Sequence, residues 1–201
     1  MLPGFFVASI VEGHGEVSAL PILLRRIHAE SDAASSPLIL NPPLRVKAGS
    51  FLNDAAYRDR YLQLAAAKAR YSGRKPLVLV FLDCEDGCPA SQGPQLHQFA
   101  GAHCIGLHSL ICLAYREFET WLVAAAPSLG GVRGFPHGVA TPDNPESKRD
   151  AKGWISLRLG RSYNEPSDQP AFTSSFEFGL AESVGSFARM RRKLAAFFKD
   201  Q

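Results

Sequence analysis

Four cysteines in 201 residues are too few for a disulfide framework, so Cys84, Cys88, Cys104 and Cys112 read as reduced thiols. Long hydrophobic runs are missing too. A membrane helix needs about 20 apolar residues in a row, and the longest candidates here, FFVASIV and LVLVFL, fall far short, so neither can span a bilayer and no membrane partner is expected. FFVASIV has no Lys or Arg before it and acid directly after it, unlike a secretory leader, so the expected location is the cytoplasm. Neither a G-x-S-x-G elbow nor a G-x-x-x-x-G-K loop occurs, which leaves serine-hydrolase and P-loop ATPase chemistry without residues to carry them. Charge of one sign is also scarce: 22 basic and 19 acidic residues give +3, which permits an anionic partner without demanding one. No internal repeat or low-complexity segment interrupts the chain. The length suits one large domain and excludes a multi-domain machine.

What is present is an ordinary globular composition, 46% hydrophobic and 20% charged, arranged as alternating strand and helix signals. The run Phe5 to Val11 is apolar at nearly every position, the pattern of a strand buried on both faces. After Glu12, the Gly13 and Gly15 turn leads to a helix from near Ser18, with Val17, Leu20, Leu24 and Ile27 on one stripe and Pro21 near its first turn. A Pro-rich loop over 32–43 and a short strand over 44–48 follow. A helix capped by Asn53 or Asp54 runs to about Tyr71. Leu77 to Leu82 is the clearest buried strand and stops at Asp83. A helix over 94–102, a strand over 104–114 and a helix over 115–126 complete a parallel α/β pattern. Beyond Ala126 a Gly- and Pro-dense loop over 127–147 precedes two expected helices, 150–159 and 185–199. The expectation is therefore an α/β core over 1–126 with a loop-rich C-terminal elaboration over 127–201, packed on it. The last helix puts Phe187, Met190, Leu194 and Phe197 on one face and Arg189, Arg192 and Lys193 largely away from it, where a solvated surface is the ordinary reading.

Two strongly apolar strands end in acid, Glu12 after the first and Asp83 after the third. Open parallel sheets build their sites at such strand ends. If Asp83 continues the extended backbone, Glu85 falls on the same side two residues later. Converging carboxylates repel one another, and a hard cation such as Mg2+ or Mn2+ is the usual compensation.

Val11-Glu12-Gly13-His14-Gly15-Glu16, followed by the apolar strand and Asp83-Cys84-Glu85, resembles the Toprim fold, in which a glutamate after the first strand and a D-x-D pair after a later one hold catalytic metal. It is most similar to small stand-alone bacterial Toprim-like proteins related to the Toprim nuclease part of the OLD family. Glu12 and Glu16 match the first motif of that group, and Arg116-Glu117-Phe118-Glu119-Thr120-Trp121 is similar to its E-I-E-N-Y-like helix start. The resemblance covers 5–126 well and the rest loosely. It implies Glu12, Glu16, Asp83, Glu85, Asp86 and Glu119 as metal ligands, with Glu12, Asp83, Glu85 and Lys152 as the catalytic set. Glu85 departs from the second Asp of D-x-D by one methylene, and the adjacent Asp86 is its alternative. Glu119 is equally readable as a ligand, an orienting group or a helix-start acid.

The resemblance implies metal-assisted phosphodiester hydrolysis on DNA or RNA, since this length has no room for the extra domains of a topoisomerase or a bacterial primase. Related nucleases work with an ATPase in phage defence, here necessarily a separate chain. The alternative is a non-catalytic Toprim-like module that binds nucleic acid or a protein. Among rival motifs, Gly13-His14-Gly15 imitates a dinucleotide fingerprint, but Ser18 replaces the third glycine and Glu12 and Glu16 repel a pyrophosphate. Cys84-x-x-x-Cys88 with His97, His103 and His108 lacks the tight paired spacing of structural zinc sites. Trp121, Trp154, Phe172, Phe176 and Phe178 are candidates for base stacking, though core packing is the commoner role.

Overall fold

Residues 2–85 and 87–199 are described by a computed structural model. The apolar runs form strands because alternate side chains feed two different cores. In β1 (Phe5–Val11), Phe5, Val7 and Val11 enter one cluster while Ala8 and Ile10 enter the other. In β4 (Lys75–Asp83), Leu77, Leu79 and Phe81 likewise part from Val78, Val80 and Leu82. A strand covered on both faces has no polar face to show, which is why neither sequence alternates.

Between these strands lie α1 (His14–Ala29), β2 (Leu38–Leu40), β3 (Leu44–Arg45), α2 (Ala48–Asn53) and α3 (Ala55–Arg70). After β4 come α4 (Pro89–His103), β5 (His108–Ala114), α5 (Glu119–Ala124), α6 (Ala151–Leu159), α7 (Glu165–Ser175), α8 (Phe178–Ala181) and α9 (Gly185–Lys199). The sheet runs β2-β1-β4-β5 with β3 also on β1, and every strand pair is parallel. Helix α1 and the C-terminal helices share the Phe5 core, whereas α3 and α4 share the Val78 core. The protein is a Rossmann-like α/β fold, a parallel sheet between helical layers. Its winding reverses at β1 and β4, so the crevice at their C-terminal ends is the topological switch point.

Several boundaries differ from the sequence expectation. Helix α1 starts at His14 rather than near Ser18, so Pro21 lies inside it. The carboxylate of Glu16 accepts from the Gly13 N–H and closes the first turn early, and the buried stripe Leu20, Leu23, Leu24 and Ile27 outweighs the bond that Pro21 removes. The loop expected over 32–43 contains β2, registered on Phe5 to Val7. Helix α4 begins at Pro89, which suits a first helical turn. The strand expected from Cys104 begins at His108. Helix α5 is shorter than 115–126, because Arg116 takes a left-handed φ of 64° and breaks the helix before Glu119.

Among the described residues the C-terminal part holds four α-helices, not two. Helix α7 has two internal or first-turn prolines and a weak apolar stripe, so only its tertiary partners reveal it. Buried Asp168 accepts from Arg133 and Arg161, and Arg26 of α1 donates to the Thr173 and Phe176 carbonyls. Trp121, Phe172 and Phe176 are fully buried, and Phe178 nearly so, which gives them to the core. Among the described residues no helix is long and apolar enough to cross a membrane.

Candidate functional site

The crevice at the ends of β1 and β4 is walled by acids from five places in the chain. Glu12 follows β1 directly, half-buried, and burial raises its carboxyl above the usual range while an Ala48 N–H partly offsets this. Asp83 closes β4. Its Oδ1 accepts from the Phe118 N–H at 2.9 Å, which ties the strand end to the start of α5. Enclosure in protein and then the charges of Glu119 and Glu16 push the Asp83 carboxyl well up, against the pull of Lys152.

Glu119, in the first turn of α5, has no exposed surface. Its Oε1 accepts from Gln169 Nε2 at 3.3 Å, and its Oε2 is buried without a hydrogen-bond partner among the described residues. Burial pushes its pKa to about 8, with Lys152 opposing. Glu16, 2% exposed, has both oxygens engaged, one by the Gly13 N–H and the other by Gln169 Nε2 at 3.2 Å. It therefore shapes the turn and holds Gln169. Desolvation still raises its pKa.

Lys152, in the first turn of α6, supplies the cation of this cluster. Its Nζ lies 3.0 Å from Glu165 Oε2 and 4.0 Å from Glu119 Oε2. Burial opposes its charge, but Glu119, Glu165 and Asp83 outweigh that and hold it protonated beyond the ordinary lysine range. Glu165 in turn accepts from the Gly15 N–H at 3.1 Å, and that bond with Lys152 lowers its pKa despite burial. The Gly13 and Gly15 turn is glycine for a steric reason. A Cβ on Gly15 would stand 1.9 Å from Gln169 Oε1, and one on Gly13 2.6 Å from Glu165 Oε1.

The structure thus brings together Glu12, Glu16, Asp83, Glu119 and Lys152. Glu85 stands apart. The extended backbone ends at Asp83, Glu85 takes φ 43°, and its N–H donates to the Arg116 carbonyl at 2.9 Å. Its side chain is exposed, near enough for its charge to raise Glu12. Asp86 lies outside the described residues. His14 is exposed on the rim, 3.5 Å from Arg45 Nη1. Of the cysteines, Cys84 is buried with its thiol pushed up to about 11, and Cys88 is exposed.

Sequence reasoning missed Glu117, Tyr163, Glu165 and Gln169. Glu117 has a buried oxygen without a hydrogen-bond partner among the described residues, and burial raises its pKa. The Tyr163 hydroxyl is buried beside Glu119, and burial with the Glu119 charge pushes it well above the ordinary phenol. Asn164-Glu165-Pro166 does carry a helix-start composition that could have exposed α7. Nothing local says that α7 folds against the Gly13 turn.

The donor set here is carboxylate oxygen, which suits a hard divalent cation, and Glu119 Oε2 accepts no hydrogen bond among the described residues, with Lys152 Nζ 4.0 Å away. Among the described residues, however, no three His, Cys, Asp or Glu side chains stand together as a ready metal cage. Lys152 supplies the positive charge instead. Compared with known proteins, the chain matches no protein-family model, no curated protein and no solved structure.

Proposed function

We propose that the protein is a metal-dependent phosphodiesterase of the Toprim type, acting on DNA or RNA. The observation that carries this reading is the surplus of acid at the switch point: Glu12, Glu16, Asp83, Glu119 and Glu165 surround a single ammonium, Lys152. Burying like charges raises their proton affinity, as at Asp83 and Glu119, unless a stronger cation takes the place of the protons. On this reading Glu12, Asp83 and Glu119 would have to close on that cation, Mg2+ or Mn2+, because no three acids among the described residues stand close enough to hold it as they are.

When bound, the ion would polarise a phosphate and lower the pKa of an attacking water. The remaining work belongs to the chain. Gln169 fixes the Glu119 and Glu16 carboxylates relative to each other through one amide. Asp83 is oriented by the Phe118 N–H. Lys152 sits where a phosphate oxygen would meet a fixed positive charge, which favours the charge of a phosphoryl transition state. Glu85 and His14 lie on the rim, where they meet flanking substrate rather than the reacting atoms. A separate ATPase chain as partner follows from the Toprim resemblance and belongs to the same proposal.

The pairing of Lys152 with Glu119 and Glu165 favours a second reading, a non-catalytic module whose acids are already balanced by lysine. A panel of single-stranded DNA, double-stranded DNA and RNA, incubated with Mg2+ or Mn2+, separates the two. The catalytic reading expects Mn2+-dependent cleavage that Glu12→Gln and Asp83→Asn abolish with unchanged circular dichroism. Full activity in both variants overturns it, and binding without turnover assigns the module.

A further inference from the structure

Strand β5 is one open edge of the sheet, opposite β2, and its outer backbone lies along a groove of about 700 Å³ between α4 and α9. Which backbone groups face the groove follows from one bond. The Ala114 carbonyl accepts from the Cys84 N–H at 2.9 Å, so Ala114 faces β4. Backbone direction alternates along a strand, so Cys112 and Leu110 also face β4, while Ser109, Ile111 and Leu113 turn their N–H and C=O outward. All three line the groove, and among the described residues nothing hydrogen-bonds to those outward groups.

The two walls differ in chemistry. On the α9 side stand Arg189 and Lys193, neither with an acidic partner among the described residues. On the α4 side stand Pro89, Pro94 and His97. Glu146 is the acid among the described lining residues. A strand added to this edge would send alternate side chains to the two walls. Acidic residues would meet the α9 wall and small apolar residues the α4 wall. A second copy of the chain fits less well, because pairing two β5 edges brings both sets of Arg189 and Lys193 together.

We propose that the β5 edge is a docking site for an extended segment of a partner protein, alternating apolar and acidic, which adds to the sheet as a further strand. Its backbone pairs with Ser109, Ile111 and Leu113, and its carboxylates pair with Arg189 and Lys193. Unlike the acidic crevice, this site requires no metal.

The probe is a fluorescein-labelled heptapeptide of alternating valine and glutamate, read by fluorescence anisotropy in EDTA at low salt. Saturable binding is expected, at least about tenfold weaker for the valine–lysine version and for the doubly reversed Arg189→Glu, Lys193→Glu protein. Ser109→Pro removes an outward donor on an edge strand, where proline is tolerated, and is expected to weaken binding similarly. Methylating alternate peptide nitrogens makes the same test without altering the protein. Equal affinity for methylated and unmethylated peptides, or no saturation by about 1 mM, overturns the proposal. Concentration-dependent dimers in sedimentation that exclude the peptide assign the edge to a second copy and overturn it as well.

Discussion

Replacing Glu119 by Gln should make the metal-free protein more stable at neutral pH, although it deletes a residue of the candidate site. Glu119 has no exposed surface, and burial pushes its pKa from 4.5 to about 8. Between those values the folded protein keeps a proton that the unfolded chain has released. Wild-type stability therefore falls as pH rises from 4.5 towards 8. At pH 7 the penalty is about 3 kcal/mol, from 2.5 pH units at 1.36 kcal/mol each, and above pH 8 it approaches about 5 kcal/mol. Glutamine has the shape of the protonated acid and its oxygen still accepts from Gln169 Nε2, so it escapes the penalty. Urea denaturation in EDTA from pH 4 to 9 should show wild type and Glu119→Gln converging near pH 4. At pH 7 the variant should lead by about 3 kcal/mol, equivalent to roughly 6–12 °C in Tm for a chain of this size. Added Mn2+ should stabilise the wild type and not the variant, because ligation restores use to the carboxylate. A difference that does not change with pH, or a variant weaker than wild type at pH 8, refutes the account of Glu119 as a buried carboxyl strained by its surroundings.

Lys152→Met removes the cation that pairs with Glu165 at 3.0 Å. Lys152 is 39% exposed, so solvent screening limits the expected loss to about 1–2 kcal/mol at pH 7. The loss should shrink as acid protonates Glu165, whose carboxyl, despite burial, the Gly15 N–H and Lys152 hold below the ordinary glutamate value of 4.5; equal stability at pH 7 in a urea melt contradicts the pairing. Asp168→Asn should cost about 2 kcal/mol at pH 7, because Arg161 and Arg133 hold that carboxyl down to about 2 against an ordinary 3.8. Its contribution is present above pH 3.8 and lost as pH falls through about 2, so melts at pH 7 and pH 2 should differ in the gap between variant and wild type. A gap of the same size at both refutes the assignment.

The two central strands were legible because a strand covered on both faces has to be apolar throughout, and the acids that end them follow in the chain directly. Glu12 and Asp83 needed only the rule that parallel sheets bind at their carboxyl ends. Glu119 and Lys152 came from the Toprim resemblance, and their meeting in one cluster is a fact of the fold. For Glu85 the extended geometry assumed from the sequence stops at Asp83, where the chain turns through a left-handed residue to pair with Arg116, yet its charge still reaches Glu12. Helix α7 was illegible because prolines and a faint stripe conceal a helix whose stability comes from Asp168, Arg26 and the turn it covers.

By itself the sequence pointed to the layers: apolar runs of strand length, alternating with helices, argue for a parallel sheet between two helical faces. Tertiary structure decided what stands in the crevice. Glu165 and Gln169 come from a segment some 150 residues beyond the Gly13 turn, and their contacts depend on how α7 packs on α1. Electrostatic coupling among buried groups depends on distance in space and on exclusion of water. Neither is written in the spacing of residues along the chain.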